Sequence, residues 1–135
     1  PTVSFGVAAG SRQVLQMAAK ESSIATLVGS GARILETACG FCIGAGQAPP
    51  SGGVSVRTNN RNFEGRSGTK DAGIFLGSAE TAAACALRGE MADPRDVAAE
   101  LGIAYPEVKA PKKFHIDDSM VLAPAPEGVA AETVE

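Results

Sequence analysis

Residues 72–96 constrain the fold more than any other stretch of the chain. "AGIFLGS" at 72–78 is an unbroken apolar run that ends in Gly-Ser and flows straight into the alanine-rich segment "AETAAACALRG". A run without a polar residue predicts a strand covered on both faces, as the strands of parallel sheets are. Ser78 is placed to cap the helix that follows, Glu80 meets the positive end of its dipole, and Gly89 ends it. "DPRDVAAELG" makes a second helix statement, with Asp93 at the N-cap, Pro94 at the first helical position and Gly102 after the last turn.

The upstream half alternates in the same way. "TVSFGVAAGS" reads as a short apolar strand ending in a Gly-Ser turn, and Ser11 caps a helix with Val14, Leu15 and Ala18 on one face. "SSIATLVGSG" follows as a second helix, with Ile24, Leu27 and Val28 inward and Gly29 as its stop. "ARILE" at 32–36 and "GVSVRT" at 53–58 are strands. The expected class is therefore α/β, a three-layer α/β/α arrangement around a mostly parallel sheet. With 135 residues, 44% hydrophobic, 4% aromatic and no tryptophan, one domain's core must be built from Ala, Val, Ile and Leu. Beyond Tyr105 the composition shifts: prolines stand at 106, 111, 124 and 126. The expected organisation is a folded domain over 1–104 and a Pro-rich linker over 105–135, with one short strand at "HIDDSMVL". The chain starts without methionine and stops at "AAETVE", so a piece of a larger protein is expected.

A net charge of −3 and an isoelectric point near 5.2 argue against a general nucleic-acid surface. No apolar run is long enough to span a bilayer, and no signal-peptide pattern opens the chain, so neither a membrane nor a nucleic acid is expected as partner. The three cysteines, Cys39, Cys42 and Cys85, do not form a disulfide framework and fit a reducing compartment, the cytoplasm.

"ACGFCIG" at 38–44 sets Cys39 and Cys42 with two residues between them, directly after a strand and among Gly40, Gly44 and Gly46. Spacing alone leaves a redox couple, iron–sulfur ligation and two small buried thiols all open. A zinc ribbon would need two more ligands, and only Cys85 and His115 remain. Cys85, on the apolar face of the "TAAACALRG" helix, is a core residue, and His115 is a surface histidine. "TNNRNFEGR" leaves the end of another strand. Arg61 and Arg66 carry planar forks that grip carboxylates, Gly65 allows a sharp turn, and the asparagines donate to oxygens or sulfides. A solvated polar turn is the bland alternative, but two loops at strand ends can converge on one ligand.

Taken in order, "AAGSRQV", "ACGFCIG", "SVRTNNRNFEGRSG" and "GSAETAAACALRGEMADPRD" resemble the aconitase superfamily from the opening strand to about Asp96. The resemblance implies the third α/β/α domain of a hydro-lyase with a [4Fe–4S] cluster, Cys39 and Cys42 being two of its three cysteine ligands and the third lying before Pro1. It further implies that Arg61 and Arg66 hold substrate carboxylates, with Asn60 near the cluster. The catalytic serine and histidine–carboxylate pairs would belong to the remaining domains of the parent enzyme, so no catalytic base is expected in this chain. The parent reaction it implies is the interconversion of citrate and isocitrate through aconitate. The alternatives are an isopropylmalate or homoaconitate dehydratase large subunit and a non-catalytic iron–sulfur module. Either enzyme's substrate would be a small di- or tricarboxylate hydroxy acid. Phe41 departs from the small residue or proline usual between the cysteines. The isolated chain is expected to be inactive, without its cluster, and to carry Cys39 and Cys42 in a mobile or oxidised loop.

Overall fold

Two pairs of parallel strands organise the chain in the computed structural model, which describes residues 3–107, 112, 116–119 and 121–127. The first half runs β1 (Gly6–Ala8), α1 (Arg12–Lys20), α2 (Ser23–Gly29) and β2 (Arg33–Leu35). β1 pairs with β2 in the register Gly6↔Arg33, Val7↔Ile34 and Ala8↔Leu35, and α1 and α2 make the crossover that parallel pairing requires. The second half runs β3 (Val54–Arg57), β4 (Gly73–Leu76), α3 (Ala79–Arg88) and α4 (Pro94–Leu101). β3 pairs with β4 from Val54↔Gly73 to Arg57↔Leu76. Their connection, residues 58–72, contains neither helix nor strand.

The α/β class and the parallel pairings match the sequence expectation. The single sheet does not: among the described residues there are two separate two-stranded sheets. The reason lies in the space between them. Gly6–Ala8 of β1 and Val54–Arg57 of β3 both line one groove of about 800 Å³. Consecutive residues of each strand border it, so strand edges face open space instead of exchanging hydrogen bonds.

Helix ends follow the caps closely. The Ser11 hydroxyl accepts the Val14 N–H at 3.1 Å, and the Ser78 hydroxyl accepts the Thr81 N–H at 3.1 Å. Gly89 and Gly102 close α3 and α4 at φ 80° and 65°. At the end of α2 the stop moves from Gly29 to Gly31. Gly29 is the last helical residue, Gly31 takes φ 90°, and the N–H groups of Gly31 and Ala32 return to the carbonyls of Val28 and Leu27.

The core is smaller than the composition suggests. Its buried apolar residues are Ala32, Ala72, Ala84, Cys85, Ala86, Val97 and Ala98, with no leucine or isoleucine among those described. Val28, placed inward by periodicity, is 55% exposed, and Phe75 and Leu76 of the expected buried strand are 45% and 44% exposed. α3 packs on β3 rather than on β4, and two strands are too narrow to cover both faces of either one. Residues 116–118 and 121–122 form no strand, and the rest of the expected 115–122 strand, His115 included, is partly outside the described residues.

Asp93 caps α4 through the Arg95 N–H at 2.9 Å and holds the Arg95 guanidinium with both carboxylate oxygens, at 2.9 and 2.5 Å. The Arg95 side chain first, and its backbone N–H second, hold the Asp93 carboxyl down to about 2. That is below its value of about 3.9 in an unfolded chain. The cap's contribution is therefore complete above pH ~4 and is lost as pH falls through about 2. Asp93→Ala is expected to lower Tm at neutral pH and to flatten the acid limb of the Tm–pH curve. An unchanged acid limb in the variant would show that the cap does not contribute.

A cysteine loop and an arginine turn that meet

The chain leaves β2 at Leu35 and tightens at once, with the Ala38 N–H bonded to the Glu36 carbonyl at 2.8 Å. A 3-10 turn over Phe41–Ile43 follows, closed by the Ala45 N–H on the Gly40 carbonyl at 3.1 Å. Gly44 and Gly46 hold φ 90° and 77°, a backbone that side chains rarely permit. Cys39 and Cys42 are joined as a disulfide with their Cα atoms 5.5 Å apart, so the loop is in its oxidised state. The Arg33 guanidinium donates to the Gly46 carbonyl at 3.0 Å and ties the loop's exit back to β2.

The arginine turn folds onto this loop. An added Cβ on Gly44 would stand 3.1 Å from the Ser67 Oγ, and one on Gly68 only 2.6 Å from the Pro49 carbonyl. The two loops thus touch backbone to backbone. Their contact carries the Arg66 guanidinium to the sulfurs: Nη2 lies 3.6 Å from Cys42 Sγ and 3.9 Å from Cys39 Sγ. The same group stacks over the Phe63 ring at 5.6 Å.

The other residues singled out from sequence sit differently. Arg61 is exposed and donates to the carbonyl of Asn60 at 3.0 Å, and Asn60 is itself exposed. The structure therefore brings Arg66, but neither Arg61 nor Asn60, to the cysteines. Cys85 is a free, buried thiol in α3, as its helix face predicts.

Arg57 escaped the sequence reading. It is 8% exposed, and its Nη1 donates to the Cys42 carbonyl at 3.2 Å while Nη2 and Nε reach the Ser55 hydroxyl at 3.1 and 3.3 Å. Burial first, and the charge of Arg66 second, push the Arg57 guanidinium below its ordinary range. The available signal was strand alternation, which puts Ser55 and Arg57 on one face of β3.

Parallel strands whose ends carry a two-cysteine loop and an arginine turn in contact define an α/β protein with a cysteine–guanidinium site. The chain belongs to the aconitase family. The family model described as "Aconitase family (aconitate hydratase)" matches residues 1–89. The mitochondrial homoaconitase of Candida parapsilosis is 39% identical over 109 residues, 80% of this chain and 16% of that protein. The 3-isopropylmalate dehydratase large subunit 1 of Deinococcus radiodurans is 43% identical over 99 residues, 73% of this chain and 23% of that protein. The homoaconitase large subunit of Thermus thermophilus is 42% identical over 102 residues, 74% of this chain and 24% of that protein. The chain thus spans less than a quarter of the length of these three relatives.

Family members carry a [4Fe–4S] cluster, and the residues present fit part of such a site. Clusters are held by cysteine thiolates, and the two cysteines of this loop would supply two once their disulfide is reduced. Among the described residues no group of three His, Cys, Asp or Glu side chains comes together to hold a metal ion. The turn does supply unused donors: Asn59 Nδ2, Arg66 Nε and Ser67 Oγ are buried with no hydrogen-bond partner among the described residues. Buried polar atoms rarely stay unsatisfied, and sulfides or substrate oxygens would accept from them.

The loop contact is directly testable. Gly68→Ala combines φ 77° with a backbone clash and is expected to destabilise by about 1–3 kcal/mol, read from denaturant unfolding. Cys85→Ala is expected to cost about 1 kcal/mol. Neither its iron content nor its turnover in the whole protein should change, and iron loss in that variant would place the site elsewhere.

Proposed function

We propose that residues 1–135 form the cysteine- and arginine-bearing part of a hydro-lyase that adds water to, or removes it from, a small di- or tricarboxylate: isopropylmalate, or the hydroxy acid that corresponds to homoaconitate. The observation that carries this reading is the Arg66 guanidinium held 3.6 Å from Cys42 Sγ. Citrate was the first expectation from the resemblance, but the homoaconitases and isopropylmalate dehydratase large subunits among the relatives favour its alternative.

In this reading reduced Cys39 and Cys42 are two ligands of the cluster, completed by a ligand from elsewhere in the parent protein. When bound, the cluster supplies a Lewis acid that polarises the leaving hydroxyl. Arg66, braced on Phe63 and beside the sulfurs, grips a substrate carboxylate through its planar fork and fixes the orientation of the hydroxy acid. Arg61 and Asn60 are exposed, open to a substrate that enters from solvent, and take the second carboxylate and the rim of the site. The proton base comes from the remaining domains.

Those domains would also cover apolar side chains that this chain leaves exposed, such as Phe75 and Leu76 of β4. In the parent the two strand pairs belong to one mostly parallel sheet in a three-layer domain, and the segment after residue 104 links it to its neighbour. Among the described residues no helix is long and apolar enough to cross a membrane.

Turnover by the purified parent protein, measured with isopropylmalate, homoaconitate and citrate side by side, tests the substrate class. A higher kcat/KM for citrate than for either other acid would overturn it. Arg66→Lys keeps the charge and loses the fork, and should lower kcat/KM by about 2–4 kcal/mol, roughly 30- to 1000-fold. Wild-type turnover in that variant would remove Arg66 from the site.

A further inference from the structure

Arg57 has a burial that its partners do not explain. Removing a guanidinium from water is costly unless an anion meets it, and the usual answer is a carboxylate. Arg57 is 8% exposed, yet its acceptors are the neutral Ser55 hydroxyl and the Cys42 carbonyl, and no carboxylate pairs with it among the described residues. A second cation, Arg66, lies at the sulfur of the same cysteine. Two guanidinium groups on one residue oppose each other, and a neutral disulfide does nothing to relieve them. Two thiolates, free or as ligands in a cluster complex whose overall charge is negative, would.

We propose that Arg57 is a positioning residue for the cysteine loop: its guanidinium holds the Cys42 peptide from the backbone side, and its charge favours the anionic, cluster-loaded state of Cys39 and Cys42. The proposal rests on the reading of those two cysteines as cluster ligands. Geometry and charge act together. The bond to the Cys42 carbonyl anchors the 3-10 turn, the bond to Ser55 anchors the guanidinium to β3, and the loop's sulfurs stay turned to Arg66.

The test uses the whole parent protein, reconstituted anaerobically with ferrous iron and sulfide. Iron bound per chain, the rate of iron loss to a chelator, the visible and EPR spectra of the cluster, and the Tm of the apo protein are compared across variants. Arg57→Gln keeps a donor and loses the charge, and its affinity for iron should fall about 10- to 100-fold, the range found for groups that orient metal ligands. Arg57→Lys keeps the charge but cannot span Ser55 and Cys42 together, and should lose iron only about three- to tenfold faster than wild type. Ser55→Ala removes the anchor to β3 but keeps the charge and the carbonyl bond, and should lose iron no faster than Arg57→Lys; iron loss as fast as in Arg57→Gln would show that the charge does not act. Arg57→Lys serves as the deciding variant if Arg57→Gln does not fold. Iron retention equal to wild type in both Arg57 variants, or a lysine no better than glutamine, would make Arg57 a packing residue and end the proposal. Failure of the wild-type protein to bind iron and sulfide would overturn the ligand reading itself, and the proposal with it.

Discussion

The parallel pairing of β3 with β4 is the constraint on which the site depends. Consecutive parallel strands cannot be joined by a tight turn, so the chain after Arg57 must travel back the length of the pair before β4 begins. Helices usually make that return. Here residues 58–72 make it without one, and a loop that long needs something to lie against. It finds the cysteine loop. Gly68 settles against Pro49, Ser67 against Gly44, and Ser51 donates to Asp71 at 2.6 Å. Arg66 reaches the sulfurs as a consequence of topology, because the return path crosses the loop that follows β2.

Charge explains why this arrangement suits a reduced site better than an oxidised one. Arg57 and Arg66 bracket Cys42, one at its carbonyl and the other at its sulfur. Their mutual repulsion appears as a lowered proton affinity of Arg57, second only to the effect of burial. With the disulfide formed, no carboxylate pairs with either guanidinium among the described residues. The orphaned donors of Asn59, Arg66 and Ser67 tell the same story in hydrogen bonds. The site has more positive and donating groups than its own residues can use.

Local grammar was legible in the sequence, and tertiary cover was not. Ser11, Ser78 and Asp93 cap helices where their spacing to the following N–H groups says they should, because capping is settled within four residues. The "GVSVRT" and "AGIFLGS" strands appear within a residue or two of their expected bounds. The burial of Phe75, Leu76 and Val28 was misjudged, since an apolar run states only that cover is wanted and the helices of this chain supply little of it. At the site, Arg66 and the dithiol loop were legible as motifs, while Arg57 was hidden. A lone arginine at a strand end has no local signature, and its importance comes from a carbonyl on another loop.

The close approach of Gly68 to the Pro49 carbonyl has a further consequence for how such chains can vary. The segment before β3 and the segment before β4 behave as one mechanical piece, clamped at a point where no side chain fits. An insertion in either would strain the clamp that sets Arg66 beside the sulfurs. Length added beyond the Ile103 N–H that closes α4, at 104–107, would leave that clamp untouched, because none of the backbone hydrogen bonds of these two loops is at stake there.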